Sequence, residues 1–292
     1  MDFSYAESFE NYIIVKDIRN FDPYQVFSCG QCFRWNREEN GNYIGVAHGR
    51  VIETEKKGND LYLYNTNKQD FIDIWADYFD LYRDYGEIKD NLKKDEILKK
   101  AVKYGEGIRI LNQEPFEMLI SFIISSNNRI PMIKKVIENI CESFGGKISY
   151  KGKIYYTFPT IPELSAAEEE DFRNFKAGFR AKYIKNTIDM LKNSRQDLDV
   201  IKKCSSCEAL SHMLSFPGVG LKVADCIMLF SMKKTDSFPV DVWVKRAMNY
   251  FYKTGDISLK KIREYAGDKF GNLAGFAQQY LFFYMRENNI KI

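Results

Sequence analysis

Two different rhythms of apolar residues divide the chain. Up to about residue 66 they alternate with polar residues, or come in short runs broken by turn formers. Beyond about residue 108 they recur every three or four positions. The first rhythm predicts strands over 12–16, 31–36, 42–47, 49–55 and 60–64. Asn40-Gly41 joins the second and third, and Lys57-Gly-Asn59 joins the last two, both hairpin signals. The expectation is an antiparallel meander with Trp35, Tyr43, Ile44 and Tyr62 on its inner face. Helices over 71–81 and 96–104 follow.

The second rhythm predicts helices throughout. Residues 115–126 are apolar almost all round, as in a buried central helix, whereas 130–144 are amphipathic and stop at Gly145-Gly146. A Tyr-rich stretch, 147–164, fits a small hairpin of 148–150 with 154–156. Further helices are predicted over 168–175, 181–192, 207–214, 222–232, 258–270 and 274–287. The fold class is therefore α+β: an antiparallel sheet domain with flanking helices (1–107), then a mostly helical domain (108–292) holding a helix-hairpin-helix at about 207–232.

Composition narrows the function classes. Of 292 residues, 45% are hydrophobic and 15% aromatic, enough for sizeable cores, so disorder is excluded. A net charge of +3 makes any nucleic-acid site a local patch rather than a global field. No apolar run is long enough to span a bilayer. Six cysteines and no signal-like start indicate a reduced, cytoplasmic, non-secreted protein. Only His48 and His212 are available, which argues against a multi-histidine metal site or a Ser-His-Asp triad. Cys29/Cys32 and Cys204/Cys207 share zinc-like spacing, but about 170 residues part the pairs; small buried thiols are the preferred reading, and no metal or cofactor is expected.

The candidate chemistry lies in Met213–Met228 and the following Phe238-Pro-Val-Asp-Val-Trp-Val244. Gly218 and Gly220 flank Val219 in a hairpin tight enough to need left-handed backbone. Amides of Gly218, Gly220 and Lys222 at the helix start suit a phosphate. Lys222 sits in the first turn, where the helix dipole opposes a positive charge, and a neutral lysine amine is a nucleophile. Val223, Cys226, Ile227 and Phe230 form that helix's apolar stripe. Asp241 precedes an apolar helical run and reads as its N-cap. Taken alone, Lys222 reads as a solvated surface lysine and Asp241 as a plain cap.

Together these segments resemble the helix-hairpin-helix DNA glycosylase superfamily, and their wording resembles its 8-oxoguanine DNA glycosylase/lyase family. The resemblance implies base-excision repair of duplex DNA containing 8-oxoguanine, by a monomer without a cofactor. Lys222 would attack C1′ and form a Schiff base that permits β-elimination, and Asp241 would stabilise positive charge on the sugar. Ser125-Ser-Asn127-Asn128 resembles the family's stretch whose first asparagine fills the gap left by the extruded nucleotide. Phe179-Arg180 resembles the aromatic wedge and the arginine that contacts the orphaned base. Gly30 matches the carbonyl that accepts N7–H, Cys226 and Phe282 the purine sandwich, and Gln278 the Watson–Crick contact. Outside that resemblance, Asn127-Asn128 could cap a helix, Phe179 could be core, Gly30 a turn glycine, and Gln278/Phe282 core.

Two positions depart from the family pattern. Met132 stands where a second cytosine-reading arginine is found, so a relaxed opposite-base preference is expected. Trp243 stands where histidine near a phosphate is common; its indole N–H can donate one bond, or the ring is core. No cysteine follows Cys226, so the C-terminal iron–sulfur cluster of some superfamily members is not expected. Two competing functions are an alkylpurine glycosylase using water, against which Lys222 argues, and a non-catalytic DNA binder, against which the Lys222–Asp241 pairing argues.

Overall fold

The computed structural model describes residues 1–193 and 196–288. Six strands form one antiparallel sheet: β1 (Tyr5–Ser8), β2 (Tyr12–Lys16), β3 (Trp35–Arg37), β4 (Tyr43–Ala47), β5 (Arg50–Lys57) and β6 (Asp60–Tyr64). Their order is β1-β2-β6-β5-β4-β3. The expected hairpins are present, with Arg37 opposite Tyr43 and Lys57 opposite Asp60. Trp35 and Tyr43 fill the inner face as expected, with Phe27 stacked 3.9 Å from Trp35. Ile44 instead faces the other side, with Val46 and Val51, and Tyr62 is only half-buried.

The other sheet face is covered by a second hairpin, β7 (Lys147–Tyr150) with β8 (Lys153–Tyr156). Ile148, Tyr150 and Tyr155 pack on the Ile44 patch. Glu53, buried there, accepts hydrogen bonds from Asn42, Tyr150 and Lys151 at 2.6–2.8 Å, which satisfies its charge.

The expected strand over 31–36 is reduced to Trp35–Arg37, and a helix, Pro23–Ser28, precedes it. The cause is Gln31, fully buried. Its amide donates to the Val26 and Arg109 carbonyls and accepts from the Leu111 amide. Side-chain bonds thus replace a strand ladder and fix the Cys29–Phe33 segment against the chain entering the helical body.

In that body, the helices of Pro115–Ser125 and Ile130–Phe144 lie where expected, and the first has eight buried residues. The C-terminal helix, Ala274–Glu287, returns to the N-terminal part, where Phe283 meets Tyr104 at 5.9 Å and Glu287 accepts from Tyr24 at 2.7 Å. Two helices before residue 107, Tyr85–Leu92 and Glu96–Tyr104, add Tyr85, Leu98 and Val102 to the helical core, so the packing units do not divide at residue 107. Among the described residues no helix is long and apolar enough to cross a membrane.

Candidate active site

The hairpin follows from its glycines, though not symmetrically. Gly218 has φ +80, and a Cβ there would lie 2.7 Å from the Tyr183 ring. Gly220 is extended (φ −97, ψ 179) and acts as N-cap, correcting the expectation that both glycines need left-handed backbone. Among the described residues, nothing beyond its chain neighbours lies within 4 Å of where its Cβ would be, and the amides of Gly218, Gly220 and Lys222 have no backbone acceptor, which leaves them open to an anion. The second hairpin helix, Leu221–Ser231, is buried from Val223 onward. Its Asp225 is ion-paired to Arg263 at 2.8 Å, and burial still pushes that carboxyl up to about 6. This pair ties the hairpin to the helix Leu259–Phe270.

Lys222 and Asp241 line one open cleft of about 1120 Å³. The Lys222 ammonium lies 5.3 Å over the Phe122 ring of the central helix. Asp241 caps the helix Val242–Tyr252 by accepting from the Val244 amide at 2.8 Å. It is therefore a cap, as its position predicts, and also part of the cleft. Trp243 in that helix's first turn is 57% exposed and lines the cleft, so it is not core. The Arg246 guanidinium lies 5.8 Å over its ring.

A narrow recess of about 60 Å³ runs inward and is lined by Gly30, Cys226, Gln278 and Phe282 beside Lys222 and Asp241. All four expected pocket residues, from three distant segments, therefore meet at one place. Gly30 has φ +85, and a Cβ there would stand 3.3 Å from Phe282 Cε1. Burial raises the Cys226 thiol to about 11, with the Lys222 charge acting the other way. Gln278 is buried and its Oε1 accepts from Gln279 at 2.6 Å.

On the cleft's outer side, Asn127 is exposed and left-handed (φ +49), a conformation asparagine tolerates. Neither asparagine caps the next helix, whose N-cap is Arg129; Asn128 donates back to the Ile124 carbonyl. Phe179 is 54% exposed, which excludes a core role, and Arg180 lies 4.3 Å over its ring. Arg180 is buried and donates to the carbonyls of Ser126, Asn127 and Ala177. Two of its five N–H donors thus hold the Asn127 loop and a third holds Ala177, leaving two. Met132 is exposed, but the residues of its helix that line the cleft are Ile130, Ile133 and Lys134.

Phe122 and Lys134 are cleft residues that the sequence reading did not single out. Phe122 was indistinguishable from its apolar neighbours, but Lys134 is four residues from Ile130 and shares its helix face. Cys29 and Cys32 are buried, whereas Cys204 and Cys207 are nearer the surface. Among the described residues no group of His, Cys, Asp or Glu is arranged to hold a metal.

A hairpin that offers amides, a lysine and a capping aspartate that line one cleft, and a narrow recess opening off it suit a base-excision site. Comparisons with known proteins agree. Residues 120–271 match the "HhH-GPD superfamily base excision DNA repair protein" family, and residues 13–119 match "8-oxoguanine DNA glycosylase, N-terminal domain". The N-glycosylase/DNA lyase OGG1 of Arabidopsis thaliana is 31% identical, covering 88% of this chain and 75% of that one. The Saccharomyces cerevisiae N-glycosylase/DNA lyase is 30% identical over 88% and 81%. A crystal structure of Clostridium acetobutylicum 8-oxoguanine glycosylase/lyase with DNA has 56% identity and TM-score 0.98, covering 99% of this chain and all of that one. An Archaeoglobus fulgidus 3-methyladenine glycosylase, 21% identical with TM-score 0.76, shares the fold. The chain belongs to the 8-oxoguanine DNA glycosylase family of the helix-hairpin-helix superfamily.

Proposed function

We propose that the chain excises 8-oxoguanine from duplex DNA and then nicks the strand, with Lys222 as nucleophile. The meeting of Lys222, Asp241 and the recess carries this reading. The hairpin amides hold a phosphate beside the lesion, and the damaged nucleotide is flipped inward at an unstacking cost of a few kcal/mol. The Gly30 carbonyl accepts the N7–H that guanine lacks, Cys226 and Phe282 sandwich the ring, and Gln278 bonds its Watson–Crick edge. Lys222 Nζ, deprotonated, forms a bond to C1′ as the C1′–N9 bond breaks; its electron pair leaves with the base, which takes up a proton. Asp241 faces the positive charge that grows on the sugar. Opening of the sugar gives a Schiff base, and loss of a C2′ proton expels the 3′ phosphate. Asn127 and Phe179 fill the gap in the helix, Arg180 faces the orphaned base, and Trp243 stands by the backbone. The protein acts as a monomer in the cytoplasm.

Met132 cannot donate hydrogen bonds, so cytosine opposite the lesion is only weakly preferred. Base release measured under single turnover opposite C, A, G and T is expected to vary by no more than about tenfold, one lost pair being worth roughly 1–3 kcal/mol. Met132→Arg is expected to widen the gap in favour of C. A strong C-only preference in the wild type contradicts the proposal for Met132.

A further inference from the structure

Three cations line the main cleft, Arg37, Lys134 and Lys222, against one carboxylate, Asp241. Lys222 has a chemical role; the other two do not. They share one wall, where β3 meets the helix Ile130–Phe144. Lys134 is half-buried, and burial lowers its pKa. Its ammonium donates to the Trp35 carbonyl at 2.8 Å and to Asn36 Oδ1 at 2.9 Å. An ammonium has three donors, so one is left. Among the described residues no carboxylate lies within ion-pair distance of Lys134, and the exposed Arg37 guanidinium has neither an ion pair nor a hydrogen bond. By contrast, many other cations at the surface are paired, including the adjacent Lys135 with Glu138 at 3.6 Å.

A partly desolvated cation without a counter-ion is costly unless an anion completes it. We infer that Lys134 and Arg37 form an anion-binding wall that takes a backbone phosphate of the bound duplex, separate from the hairpin amides. The inference rests on the DNA-repair reading above. The sheet domain thereby contributes affinity directly, as well as presenting Gly30. Asn36 and the Trp35 carbonyl act as positioning groups by holding Lys134 toward β3.

The test is binding to a duplex with a tetrahydrofuran abasic analogue, which is not cleaved, across a salt series. Each lost phosphate contact lowers the slope of log Kd against log salt by about 0.9. Arg37→Gln and Lys134→Met are each expected to flatten the slope by part of that amount, the double variant by about 0.9, and each to weaken binding at low salt. Lys134→Arg is expected to keep the wild-type slope. Arg37 is exposed, so Arg37→Gln reports on the wall even if Lys134→Met fails to fold. Unchanged slopes in both Arg37→Gln and a folded Lys134→Met overturn the inference, as does a loss that depends on the base opposite the lesion. If the wild type does not release 8-oxoguanine at all, the function itself fails; if it does and the slopes are unchanged, only the wall fails.

Discussion

The two sides of the cleft are built differently. On the inner side Gly30, Cys226, Gln278 and Phe282 come from three segments and are already packed into a recess. Their positions rest on buried bonds, chiefly those of Gln31 and the return of the C-terminal helix. On the outer side Phe179, Trp243 and Asn127 are exposed, and Arg180 is partly engaged with the Asn127 loop. The difference teaches that the groups proposed to read the base are already brought together by the fold, whereas those proposed to fill the opened helix stand in solvent. The central helix joins the sides, with Phe122 beneath Lys222 and Asn127 just beyond its C-terminal end.

Substitutions can break that contrast. The largest effect after loss of Lys222 itself is expected for Asp241→Asn. Asparagine caps as well as aspartate, so the fold should persist while base release falls by about a hundredfold, read by single-turnover kinetics. A comparable rate would remove Asp241 from the chemistry. Gly30→Ala should harm the inner side: its backbone is left-handed and its new Cβ would press on Phe282. We expect about 1–2 kcal/mol of destabilisation, read as a lower Tm, with weaker lesion binding. If neither changes, the recess is not as tightly determined as described.

Glu117 gives a smaller effect, on stability rather than turnover. Buried on the central helix, 3.5 Å from Arg34, its carboxyl is pushed up to about 7 by burial. A folded pKa above the ordinary value means that its contribution is full below about 4.5 and fades as pH rises through about 7. Relative to Glu117→Gln, the wild type should therefore lose up to about 3 kcal/mol between those pH values, measured by denaturant titration. A difference independent of pH contradicts this burial.

Much of this was legible in the sequence, and the reasons are local. The helix Ile130–Phe144 begins and ends where its apolar period does. The glycine hairpin and the Asp241 cap were readable because turn and cap chemistry is short-range. Resemblance was needed to bring Gly30, Cys226 and Gln278 together, since their contact depends on tertiary return. Three features escaped. The short helix Pro23–Ser28 and the truncated β3 follow from Gln31, whose bonds reach about 80 residues along the chain. Ile44 faces the outer hairpin because both faces of the sheet are covered, which alternation in one strand does not reveal. Arg180 holds backbone carbonyls that no spacing rule identifies.

The central claim is that the Lys222 amine becomes covalently attached to the sugar. Its most direct test is borohydride trapping on duplex DNA containing 8-oxoguanine, with wild type and Lys222→Gln side by side. The account predicts a stable protein–DNA adduct for the wild type, and for the variant no adduct and no strand nicking despite retained binding. A variant that still traps, or that keeps full base release and nicking, would contradict it.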